Sequence, residues 1–94
     1  MSQAETLQTI QEVIRNVVNN QKLEVKAESK LIGDLGLESI DLLDISSELE
    51  NSIGQELDFK EVAEHISKKS GKPADMKSMR VQDLIEFISR IKTN

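Results

Sequence analysis

The residue of this chain best placed to do chemistry is a serine at the opening of an acidic helix. Ser39 stands in Gly33-Asp34-Leu35-Gly36-Leu37-Glu38-Ser39-Ile40-Asp41, just after a turn punctuated by two glycines. A hydroxyl in that place can be esterified. A phosphodiester on it would lie near the unpaired N–H groups and the positive dipole end of the helix. Gly36 lets the turn bend tightly. Leu35 and Leu37 are expected to hold it against the core, so that Ser39 is presented outward on a fixed base. An isolated serine at such a place is an ordinary helix cap; it is the surrounding residues that lift this one above that reading.

Other chemistries find few residues to work with. Cysteine is absent, which excludes a disulfide framework, a thiolate metal site and a protein thiol nucleophile. His65 is the single histidine, so no His-based metal site is expected and Ser39 has no base to form a triad. A hydrolase or transferase is therefore a distant reading. His65 is expected as a surface residue of the third helix, and Met76 and Met79 as apolar gap-fillers.

The elements that must position Ser39 are set by residue spacing. Ser2 with Glu5 makes a capping box, and Leu7, Ile10, Ile14, Val17 and Val18 mark one face of a first helix ending near Asn19-Asn20. Residues 21–37 form a long connection, whose Leu23, Val25, Leu31, Ile32 and Leu35 pin it to the core. A second helix opens at Ser39 with Glu38 before it. Its expected inward stripe is Ile40, Leu43, Leu49 and Ile53, with Gly54 as its stop. Asp58 and Glu61 repeat the capping pattern ahead of Phe59, Val62, Ala63 and Ile66, a shorter third helix. Lys68 and Lys69 suit the C-terminal dipole of that helix, and Ser70-Gly71-Lys72-Pro73 ends it. Residues 74–78 read as loop. Val81, Leu84, Ile85, Ile88 and Ile91 form a last helix that frays at Thr93-Asn94. Ninety-four residues with two aromatics, Phe59 and Phe87, make one domain, 1–94, with an aliphatic core. The fold class is all-α: a four-helix bundle with a long loop between helices one and two and an extended helix-three region, the third helix being the least regular.

Charge is distributed unevenly. Between Leu31 and Phe59 there is no Lys or Arg, while Asp34, Glu38, Asp41, Asp44, Glu48, Glu50, Glu56 and Asp58 all fall there. Phosphates would be repelled by this segment, which argues against nucleic acid and for a partner with a basic docking surface. No apolar run is long enough to cross a bilayer, and the N-terminal residues lack the features of a signal peptide. A cytoplasmic location is the expectation.

At Leu35-Gly36-Leu37-Glu38-Ser39-Ile40 the sequence resembles the acyl carrier protein family, whose motif reads roughly leucine-glycine-x-aspartate-serine-leucine. The resemblance continues through Asp41, Leu43, Asp44, Ile45, Leu49, Glu50 and Ile53, and resumes at Val81-Gln82-Asp83-Leu84-Ile85-Glu86-Phe87-Ile88. The first helix matches in length and pattern. What the resemblance implies is 4′-phosphopantetheine on Ser39, transferred from coenzyme A by a separate transferase that uses Mg²⁺ in its own site. The arm then holds acyl groups as thioesters for enzymes of fatty acid, lipid or polyketide-type biosynthesis. The chain would be a non-catalytic, monomeric carrier without a metal site. Glu38, Asp41, Asp44, Glu48 and Glu50 would dock the transferase and the acyl-processing enzymes. Two other readings stand beside it: a carrier of aminoacyl or peptidyl groups, and an unmodified helical adaptor that docks through its acidic helix.

Three departures from the family pattern point to a specialised carrier. Glu38 stands where aspartate usually precedes the serine. Ser46 and Ser47 occupy positions that are usually apolar and that line the acyl cavity or touch partners. The segment from Phe59 to Ser78 is longer than the family's short third helix and its connection. Together they lead to the expectation of short or polar cargo in preference to long saturated chains.

Overall fold

The computed structural model describes residues 2–71 and 76–92, with the side chains of Met76 and Lys92 outside that description. Four helices carry the fold: α1 (Gln3–Val17), α2 (Ser39–Ile53), α3 (Phe59–Ser70) and α4 (Val81–Lys92), with a 3₁₀ turn at Met76–Ser78 before the last. The bundle and the long first loop are as the periodicity predicts. No helix among the described residues is long and apolar enough to cross a membrane. The Lys72-Pro73 stop, Ala74, the Met76 side chain and the fraying at Thr93-Asn94 lie outside the described residues.

Local chemistry starts and stops these helices. The Ser2 hydroxyl accepts from the Glu5 N–H at 3.2 Å while the Glu5 carboxylate accepts from the Ser2 N–H, closing the capping box. Beneath it Thr6, a buried polar residue, donates its hydroxyl to the Ser2 carbonyl at 3.0 Å. The Asp58 carboxylate caps α3 by accepting from the Lys60 N–H at 2.9 Å. Gly54 and Gly71 end α2 and α3 in the left-handed region, at φ +72° and +73°, where a β-carbon would be strained. With both ends capped, α3 is a continuous three-turn helix rather than the least regular of the four.

Packing sets α1 against α2 and α4, and α3 against α4. The core is aliphatic: Ile10 and Ile14 from α1, Leu49 from α2, Val62 from α3 and Leu84 from α4 are all fully shielded from solvent. Met79 is fully buried too, as an apolar gap-filler should be. His65 is half-buried rather than a surface residue. Its Nδ1 accepts from the Arg90 Nη1 at 3.1 Å, and its ring meets Phe87 edge-on.

The second helix buries a different face from the one expected. The inward stripe of α2 is Leu42, Ile45, Leu49 and Ile53, whereas Ile40 and Leu43 are 63% and 72% exposed. The first two turns of α2 hold more apolar residues than one face can bury, so apolar identity alone does not select the face. At about 100° per residue, only the register through Leu42 stays apolar along the whole helix. The register through Ile40 and Leu43 meets Ser47 one turn on.

The long loop is tied down, not free. Val25 and Leu31 are buried in the core, while Leu23, Ile32 and Leu35 pack partly against it. Its backbone carbonyls find partners on α1 and at the start of α4, as buried polar backbone groups must. Gln11 donates to the Val25 carbonyl at 2.8 Å and Arg15 to the Leu23 carbonyl at 2.9 Å. Farther along, an isolated antiparallel bridge joins Lys30 to Arg80. Around it the Leu31 N–H donates to the Met79 carbonyl, the Val81 N–H to the Ser29 carbonyl, and the Arg80 guanidinium to the Glu28 carbonyl at 2.7 Å. The end of the loop is thereby fastened to the start of α4.

Candidate functional site

Because the loop is fastened at Leu31, the turn between Leu31 and α2 has a fixed base. The Lys30 N–H donates to the Asp34 carboxylate at 2.8 Å, and the Asp34 and Leu35 N–H groups return to the Lys30 carbonyl. Gly36 turns the chain at φ +69°. Leu37 is buried at its far side, donating its N–H to the Leu31 carbonyl. Glu38 and Ser39 then emerge exposed.

Ser39 is the first residue of α2, with Glu38 at the N-cap. Its hydroxyl makes no hydrogen bond to the described residues, so it is not consumed in capping. The helix start is instead secured by Asp41, whose carboxylate accepts from the Glu38 N–H at 2.9 Å. Beside Ser39 lies an open, mainly apolar pocket of about 230 Å³. Ile32 from the loop, Leu42 and Leu43 from α2 and Phe59 from α3 supply its apolar lining, with Ser46 and Asp58 as its polar members. Residue spacing does not assemble this set. Asp58 and Phe59 carry visible signals as a cap and a core aromatic, but nothing in their positions along the chain joins them to Ser39.

The acidic residues divide between two flanks of α2. Asp41, Asp44 and Glu48 share the flank toward α1, where Asp44 and Glu48 line a depression of about 320 Å³ with Asn16, Val17 and Ser47. An adjoining one of about 400 Å³ is lined by Glu38 and Asp41 together with Val17, Val18, Leu35 and Gly36 among others. Glu50 lies across the helix from these. Its carboxylate accepts from the Leu57 N–H at 3.3 Å. The two serines also part: Ser47 is exposed on the α1 side, while Ser46 is half-buried and donates to the Leu57 carbonyl at 2.7 Å. The hydroxyl of Ser46 is paired, so the cost of about 1–3 kcal/mol for burying one unpaired does not arise.

Residues 8–67 match the family model described as phosphopantetheine attachment site. The chain belongs to that family. It is a phosphopantetheine carrier, and the acyl-carrier resemblance of its sequence stands. The group that this family holds covalently is 4′-phosphopantetheine. The residues of the carrier fit such a group on structural grounds as well. An exposed, unengaged hydroxyl stands on a braced turn, unpaired N–H groups of α2 lie beside it, and an apolar pocket opens next to it. The matched segment runs from within α1 through α2 and most of α3, so the turn, Ser39 and the pocket all fall inside it.

Proposed function

We propose that Ser39 is the residue esterified with 4′-phosphopantetheine, and that the chain shuttles acyl groups between enzymes of fatty acid, lipid or polyketide-type biosynthesis. The observation that carries this reading is the free Ser39 hydroxyl at the start of α2, in a chain of the phosphopantetheine attachment family. In the loading step the Ser39 oxygen forms a phosphoester as the pyrophosphate bond of coenzyme A breaks. The serine proton is lost and the nucleotide leaves with the other phosphate. Once attached, the arm supplies a terminal thiol that holds an acyl group as a thioester. The protein's own part is to hold Ser39 outward, keep a pocket beside it and present a recognisable surface.

That surface is the acidic residues Glu38, Asp41, Asp44, Glu48 and Glu50, offered to a phosphopantetheinyl transferase and acyl-processing enzymes with basic docking faces. Complementary charge speeds encounter more than it tightens the complex. We read residues 1–94 as one carrier domain, a monomeric, non-catalytic subunit working in the cytoplasm. The strong acidity of α2 favours acyl over aminoacyl or peptidyl cargo.

Intact mass after incubation with coenzyme A, Mg²⁺ and a broad-specificity phosphopantetheinyl transferase tests the assignment. The wild type gains one phosphopantetheine and Ser39→Ala gains none. Because Ser39 is exposed and its hydroxyl makes no hydrogen bond among the described residues, the variant's stability stays within about 0.5 kcal/mol of the wild type. Modification of Ser39→Ala at the wild-type rate would overturn the reading.

A further inference from the structure

The apolar pocket beside Ser39 is bordered by Ser46, one of two α2 residues whose hydrogen bonds hold the α2–α3 connection onto that helix. Ser46 donates its hydroxyl to the Leu57 carbonyl at 2.7 Å, and one turn further along the helix Glu50 accepts from the Leu57 N–H at 3.3 Å. Both polar groups of one peptide residue are thus held by α2. Leu57 itself is buried, its side chain anchored in the core.

This clasp stands between two unlike spaces. On the Ser39 side is the mainly apolar pocket of about 230 Å³. On the other is a polar depression lined by Glu50, Glu56 and Leu57, and both spaces have Ser46 and Asp58 in their walls. A chain entering beside Ser39 and running along α2 travels seven residues of helix before reaching Ser46, about 10 Å at 1.5 Å per residue. Beyond that point it meets a bonded hydroxyl and then carboxylates instead of hydrocarbon. Turning aside into the bundle would mean displacing core residues such as Ile45, Leu49 and Val62, which are fully buried and close-packed.

We propose that the Ser46–Leu57–Glu50 clasp is a length stop, making this a carrier of short acyl groups, and that Ser46 determines that specificity. The inference rests on Ser39 being the attachment site. Carbons that fit before the clasp leave water and stabilise the bundle; those beyond it gain nothing. Removing the Ser46 hydroxyl takes away the first polar group that the chain meets and lengthens the apolar run, while Glu50 still holds the Leu57 N–H.

The test is a melting series of the holo protein loaded with acetyl, butyryl, hexanoyl, octanoyl and palmitoyl groups, in the wild type, Ser46→Ala and Ser46→Thr. Intact mass first confirms loading of each sample, so a failure of attachment is seen separately from a failure of the stop. Each melting point is read as a shift from the same variant's unacylated holo form, which cancels any general loss of stability. The wild type rises by about 3–6 °C for each further methylene buried and is flat by octanoyl. Ser46→Ala goes on rising through octanoyl, and Ser46→Thr, which keeps the hydroxyl, levels off with the wild type. A wild-type melting point that climbs steadily to palmitoyl overturns the proposal. So does a Ser46→Ala series that levels off at the same chain length as the wild type.

Discussion

Asp41 holds two positions at once, and replacing it separates them. Its carboxylate accepts from the Glu38 N–H at 2.9 Å, which secures the backbone immediately before Ser39. It also belongs to the acidic flank proposed to meet basic partners. Asp41→Ala removes the acceptor and the charge together. Loss of a first-turn capping interaction costs about 1 kcal/mol, within a range of about 0.5–2, and the lost charge–dipole attraction adds about 0.3–1. For a domain of this size each kcal/mol moves the melting point by about 4–8 °C. Asp41→Asn keeps a side-chain carbonyl to accept from Glu38, so it forfeits only the smaller, electrostatic part.

The control is Asp44→Asn. Asp44 is exposed on the same flank and engages no hydrogen bond among the described residues, so its substitution changes charge without touching the helix start. Removing one surface charge facing a basic partner is worth at most about 1 kcal/mol, or about a fivefold slower second-order loading rate at low salt. The difference should fade toward 1 M salt, where the screening length falls to about 3 Å. The assay is thermal melting of all three variants beside their initial rates of phosphopantetheine transfer at rising ionic strength. Asp41→Ala should lose both stability and rate, Asp41→Asn mainly rate, and Asp44→Asn rate alone. Equal melting points for Asp41→Ala and wild type would refute the capping role. Unchanged rates for both Asn variants at every salt concentration would leave the acidic flank as solvated surface.

Elsewhere in the bundle, the Lys69 ammonium hydrogen-bonds the Glu86 carboxylate at 2.8 Å and holds its pKa below the ordinary glutamate value. A depressed folded-state pKa stabilises above the unfolded value and loses that contribution as pH falls through the folded one. Glu86→Gln should therefore unfold at lower denaturant than wild type at about pH 7 and converge with it as acid protonates the carboxylate, below its depressed folded-state pKa; a difference that ignores pH would contradict the pairing. Ser89 carries a buried hydroxyl with no partner among the described residues. Ser89→Ala removes its desolvation cost and should raise stability by about 1 kcal/mol, or about 4–8 °C in melting point, and a lowered melting point would count against that account.

What could be read from sequence divides along physical lines. Helix ends were legible because caps are local: Ser2 with Glu5, Asp58 ahead of Phe59, and Gly54 and Gly71 in the left-handed region each act within a few residues of themselves. The Ser39 turn was legible for the same reason, with Leu37 and Gly36 performing the roles their types imply. The bonds that hold the long loop were not. Gln11, Arg15 and Arg80 each bond a backbone carbonyl of the loop, and a carbonyl is offered by every residue type, so no side-chain identity marks the partner. Ser46 belongs to this class. Its position marks a polar group beside the apolar pocket, but its acceptor, eleven residues on at Leu57, has no signature.

The misplaced stripe of α2 shows why helix two has to be read as three flanks instead of two. A binary division into apolar core and acidic surface makes Ile40 and Leu43 core residues, and the structure exposes both. With Leu42, Ile45, Leu49 and Ile53 filling the inward face, the remaining circumference splits. Ser39, Leu43 and Ser46 look toward α3 and the pocket; Asp41, Asp44 and Glu48 look toward α1. Ser39, the proposed attachment residue, and the apolar pocket thus lie on one side of the helix and most of the acidic charge on the other, with Ile40 exposed between them. A partner approaching the acidic flank need not cover the pocket beside Ser39. A carrier that must be held by one enzyme while its cargo stays reachable requires that separation, and it is created by helical register rather than by composition.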